Sequence, residues 1–130
     1  MTKLLEPLKD SLELSNLLDE INAFYQEEQK KRQAFYEQIT PEDKAEFING
    51  EIVFQSPMRK THTSASKRIL KLLDTYADIH DLGYVGHEKV LITLTRNDYE
   101  PDIVFFKKEI AEDFHDDQTQ YPVNMLLERT

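Results

Sequence analysis

The chain has no cysteine, only three glycines and no long apolar run, and its 16 basic residues are outnumbered by 25 acidic ones. Each shortage excludes something. Without cysteine there is no disulfide framework, no thiolate nucleophile and no cysteine zinc site, so nothing points to an oxidising compartment. Three glycines leave no glycine-rich phosphate-binding loop, and neither Ser56 nor Ser66 stands in a recognisable nucleophile setting. An apolar run such as Ile103 to Phe106 is far too short to cross a bilayer. The opening Met1-Thr2-Lys3-Leu4-Leu5-Glu6-Pro7 lacks the continuous apolar core of a secretory signal. These absences predict a cytoplasmic protein with no membrane partner. The net charge of -9 argues against a general polyanion-binding surface, because such surfaces neutralise phosphates with Lys and Arg.

What is present fits one fold. At 130 residues and 15.3 kDa the chain can bury roughly two-thirds of its unfolded surface. Leu14, Leu17, Leu18, Ile21, Phe24 and Tyr25, then Phe35, Tyr36 and Ile39, recur at helical spacing, predicting a helix over about 11–39 with aromatics in packing contacts. Its middle, 26–33, is wholly polar, so the helix either projects into solvent there or packs its ends against different partners. Thr40-Pro41-Glu42-Asp43 carries the signature of a helix restart, giving two helices before the first strand.

Asn49-Gly50 between apolar segments predicts a hairpin with strands at about 46–48 and 51–55. After Ser56-Pro57 and a loop to about Thr61, an amphipathic helix is expected over about 62–79, ending at Asp81-Leu82-Gly83. Ala65, Ile69, Leu72, Leu73 and Tyr76 form one stripe, and Lys67, Arg68 and Lys71 lie on another. A β-rich segment over about 84–95, bulged or split at Gly86, precedes a strand from Asp102 to Phe106. A short helix at 109–114, a polar loop at 116–120 and a nascent strand from Tyr121 complete the pattern. The chain therefore divides into an N-terminal helical segment, 1–45, and an α/β (α+β) domain, 46–130.

The most suggestive chemistry lies at Asp98-Tyr99-Glu100-Pro101-Asp102, where acids crowd the mouth of a strand expected to be buried on both faces. Alternation along an extended chain would put Glu100 and Asp102 on one side of the ribbon, within reach of one cation. A polar turn running into a hydrophobic strand is the alternative. His80 and His115 show no recurring spacing that suggests zinc, and His87 reads as part of a charged strand edge. The bases Lys67, Arg68 and Lys71 could form one positive face on an acidic protein, or an ordinary solvated helix face.

In order and spacing, Glu46-Phe47-Ile48-Asn49-Gly50-Glu51-Ile52-Val53, Ser56-Pro57, His62 and Glu100-Pro101-Asp102-Ile103-Val104-Phe105 resemble the Uma-type restriction endonuclease family of the PD-(D/E)xK nuclease superfamily. The resemblance implies a restriction endonuclease-like mixed, bent sheet with N-terminal helices. It implies Asp102 as ligand of a catalytic magnesium or manganese ion, which lowers the pKa of bound water and offsets charge on the scissile phosphate. Glu128 falls near the expected second acid, with Glu100 a further candidate ligand. Glu46 and His62 match the family's N-terminal pattern, and DNA is the implied partner, with Lys67, Arg68 and Lys71 placed for phosphates. Thr130 stands where a lysine is expected, so the fold reads as incomplete at its C-terminal end. The functional expectation is a metal-dependent DNA endonuclease of weak or no activity. The alternative is a non-catalytic interaction module or remnant that forms a homo-oligomer through an exposed sheet edge.

Overall fold

The computed structural model describes residues 2–40, 42–55, 60–88, 90–115 and 120–122. The chain divides into two compact units, Met1–Gln38 and Ile39–Thr130. In the first, helix α1 spans Leu14–Gln38. Its buried residues are Glu28, Arg32 and Phe35, which share one face at four- and three-residue steps. The periodic residues Leu18, Ile21, Phe24 and Tyr25 are exposed instead. The polar segment thus supplies two of the helix's buried side chains, because the buried face is the one that carries Phe35.

In the second unit the expected helix restart is absent among the described residues. The Asp43 carboxylate accepts from both the amide (3.0 Å) and the hydroxyl (3.1 Å) of Thr40. Only Lys44 then separates this turn from strand β1, Ala45–Ile48. A helix cannot propagate in that space. β1 pairs antiparallel with β2, Glu51–Phe54, in the register Phe47 to Ile52 and Ile48 to Glu51. The turn between them has φ of 50° at Asn49 and 85° at Gly50, the left-handed pair that a type I′ turn requires.

Helix α2 runs Lys60–Ile79 and ends in a Schellman arrangement. Asp81 is left-handed at φ 51°, the Leu82 amide donates to the Ala77 carbonyl and the Asp81 amide to that of Asp78. The segment after it is two strands in two sheets. β3, Gly83–His87, pairs antiparallel with β6, Ile103–Lys107, whereas β4, Leu91–Thr93, joins the other sheet. The break is not at Gly86, which sits in register opposite Val104, but just after it, where Glu88 turns left-handed at φ 51°. Asp98–Tyr99, grouped in the sequence with the acids at the entrance to the next strand, form a short strand of their own, β5.

The larger sheet has the order β2-β1-β5-β4-β7, β7 being Gln120–Pro122 and parallel to β4. A four-residue helix, α3, spans Lys108–Ala111. Aromatic rings knit the core: Phe106 stacks on Tyr121 with centroids 5.4 Å apart, and Phe114 meets both edge-on at 4.8 Å. Val90, Ile92, Val104 and Ile110 pack around them. β6 is not buried on both faces, since Phe105 is exposed while Phe106 is buried. Among the described residues its sheet neighbour is β3, and the Phe105 side is open where the apolar run suggested cover.

Candidate functional site

Asp102 stands immediately before β6, and side chains from two separate parts of the chain converge on it. Lys44, the residue before β1, donates its ammonium to Asp102 Oδ1. His62, in the first turn of α2, places Nε2 at 2.9 Å from Oδ2. Both carboxylate oxygens are therefore engaged by cation-forming groups from sequence positions 58 and 40 residues away. Hydrogen bonds from Lys44 and then His62 hold the Asp102 carboxyl below the usual aspartate range, so it is ionised at neutral pH. About a third of the Asp102 side chain is exposed. The cluster thus opens to solvent.

Two glutamates fix the surrounding backbone. Glu100 is buried, and its Oε2 accepts from the Ala45 amide at 3.2 Å. Glu46 Oε1 in turn accepts from the Glu100 amide at 3.0 Å. These crossed bonds tie the start of β1 to the segment that carries Asp102. The alternation argument holds to the extent that Glu100 and Asp102 both address the 44–45 stretch. They address different atoms of it, however.

Of the residues singled out in the sequence, Glu46, His62, Glu100 and Asp102 come together. Glu128 lies outside the described residues. Lys67, Arg68 and Lys71 are exposed along α2. Five and nine residues beyond His62, Lys67 and Lys71 are turned about 140–180° from it around the helix axis. They form a stripe with Lys60 on a face other than the one His62 presents. Lys44 was missed in the sequence because it was read as part of a helix restart. Its two-residue spacing from Glu46 was the available signal, since that alternation puts both side chains on one face of an extended segment.

Among the described residues, no group of three or more His, Asp or Glu side chains converges to hold a metal ion. As they stand, these residues do not fit a divalent cation. The ligand that sequence placed most firmly, Asp102, already has a cation against it.

The sequence matches Uma2, described as a putative restriction endonuclease, over residues 15–128. The chain belongs to the Uma2 family. No curated protein matches it. A solved structure, described as a putative nuclease belonging to DUF820 from Anabaena variabilis ATCC 29413, superposes with a TM-score of 0.52 at 14% identity. The match covers 62% of this chain and 44% of that one, so this Uma2 chain spans less than half of its solved relative. At that identity the likeness establishes the fold, a nuclease-type α+β architecture with an N-terminal helix and mainly antiparallel sheets. Nucleases of the Uma2 kind generally depend on a divalent metal. No helix among the described residues is long and apolar enough to cross a membrane.

Proposed function

We propose that this domain binds DNA and hydrolyses its phosphodiester backbone slowly, as an endonuclease centred on Asp102. The observation that carries the reading is the ionised Asp102 carboxylate bracketed by Lys44 and His62 at the solvent-open mouth of β6. An ammonium at that point offsets charge on a phosphodiester, and a carboxylate hydrogen-bonded to an imidazole orients it for proton transfer. Family membership and fold supply the reaction class. The α2 stripe of Lys60, Lys67, Arg68 and Lys71 spans about 16 Å at 1.5 Å per residue, enough to follow several phosphates of one strand. Magnesium or manganese enters this reading as an ion that would share Asp102 with Lys44 and His62. A site short of one positioned group commonly loses on the order of a hundredfold in rate, hence the slow turnover.

Nicking of supercoiled plasmid in magnesium or manganese, compared between wild type and Asp102→Ala, tests the reading. Slow nicking that falls at least tenfold in the variant is expected. Equal nicking by both proteins would remove Asp102 from the chemistry.

A second reading is favoured by a different observation. Ile69, Leu72, Leu73, Tyr76 and Ile79 are all exposed on α2, and every residue of the edge strand β2 is exposed, Phe54 at 68%. Apolar surface of that extent, together with a strand that is the sheet edge among the described residues, suits self-association, through which the domain would act as an interaction module. Sedimentation velocity across a hundredfold concentration range decides it, a concentration-independent monomer counting against it.

A further inference from the structure

We propose that α1 is a dimerisation element: its N-terminal half carries an apolar seam that takes the same seam of a second copy of this chain, running antiparallel. The inference stands apart from the nuclease reading. It also uses a different face from the α2 and β2 surface, which belongs to the other compact unit.

Along α1, Leu14, Leu18, Ile21 and Tyr25 follow one another at alternating steps of four and three, and the same alternation continues into Glu28, Arg32 and Phe35. This is a heptad seam, the pattern by which two helices pack knobs into holes. Burial changes halfway along it. Glu28, Arg32 and Phe35 are buried, whereas Leu14, Leu18, Ile21 and Tyr25 are exposed, the last three by more than half. Half-buried Leu17 and exposed Phe24 widen the apolar part on one side. The entry to the helix is fixed, since Ser11 Oγ accepts from the Glu13 amide at 3.2 Å and the Glu13 carbonyl from the Leu17 amide at 2.9 Å. A contiguous apolar seam over about three turns of a fixed helix marks a site for a partner, unlike surface leucines scattered singly.

The occupant follows from the register of the seam. Turned antiparallel, it closes on itself: Leu14 meets the second copy's Tyr25, Leu18 meets its Ile21, and the same twofold sets Leu17 across from Phe24. Every one of these pairs is apolar. A parallel pair would instead set each residue against itself and carry the seam on into Glu28 against Glu28 and Arg32 against Arg32, which like-charge repulsion opposes. The antiparallel pair leaves both outside the overlap. It also brings exposed Lys31 of each copy toward exposed Asp10 and Glu13 of the other, where the charges are opposite. An anionic lipid surface suits the seam less well, because the exposed flanking charges Asp19, Glu20 and Glu27 are all acidic.

With no cysteine in the chain, introduced thiols report the arrangement directly. Leu14→Cys and Tyr25→Cys, oxidised as a mixture, are expected to give a covalent dimer holding one chain of each, identified by mass spectrometry. Either variant oxidised alone is expected to give at least tenfold less, because identical positions then lie about 16 Å apart along the axis at 1.5 Å per residue, beyond disulfide reach. Sedimentation velocity of the full chain is expected to show a dimer whose dissociation constant rises at least tenfold in Leu18→Lys and in Ile21→Lys and is unchanged in Leu72→Lys on α2. Both seam side chains are exposed in the single chain, so these substitutions leave its fold intact, as circular dichroism checks. A monomer across a hundredfold concentration range overturns the proposal and leaves the seam to a helix of another protein. Self-linking of either cysteine variant as efficient as the mixture overturns it too. So does a dimer that Leu72→Lys dissociates and Ile21→Lys does not, which places association on α2 instead.

Discussion

At the scale of single residues, the site is an electrostatic cluster whose sign of pH dependence is fixed. The Lys44 and His62 hydrogen bonds depress the Asp102 pKa in the folded state. As pH falls, the unfolded chain therefore takes up a proton at this residue before the native one does. The stabilisation is complete above the ordinary aspartate range near about 4 and disappears as pH drops through the lower native value. With Asp102 partly exposed, the contribution is expected to stay within about 1 kcal/mol. Urea midpoints for wild type and Asp102→Asn should differ at pH 7 and converge in acid; a gap that widens in acid contradicts the assignment. The acids and the histidine of this cluster were legible in the sequence because they stand in a family-like order. Lys44 was not, because its partner lies 58 residues away and the helix reading of the preceding turn hid its two-residue spacing from Glu46. Asp98 was noticed as one of the acids before β6, but its full burial in β5 was not legible, since that depends on Phe47 being placed opposite it.

At the scale of elements, local signals worked where backbone geometry is decided locally. Asn49-Gly50 specified its hairpin, and Gly50→Ala at φ 85° is expected to cost about 1–2 kcal/mol in chemical denaturation. Gly83 is a harsher case. A Cβ there would lie 2.0 Å from the Phe106 carbonyl oxygen, so Gly83→Ala must part β3 from β6 and should lose more than about 3 kcal/mol. The 84–95 segment shows where period-two reading fails, since alternation continues across Glu88 although the chain changes sheets there. For α2, helical rotation separates the basic stripe from His62, and this gives the DNA reading a specific signature. Replacing Lys67, Arg68 and Lys71 together with Gln should reduce the slope of log affinity against log salt by about 3. An unaltered slope would take DNA off that face.

At the scale of the whole molecule, the larger sheet depends on a few well-buried residues. Phe47 is fully buried at the centre of the β2-β1-β5 pairing, and Phe47→Ala is expected to destabilise by about 3–5 kcal/mol, measured by thermal or urea unfolding. The order of assembly follows from the pairing itself. The β1–β2 hairpin needs only neighbours in sequence and can form in microseconds, but β1 meets β5 only after the chain has closed a loop of about fifty residues. The Lys44–Asp102 and Glu100–Ala45 bonds span that same closure. A polypeptide caught halfway would therefore possess its hairpin and helices yet have no charge cluster at all. Lys44 and Asp102 act as a built-in seal on that closure, and a spectroscopic probe on either one would register the moment at which β1 meets β5.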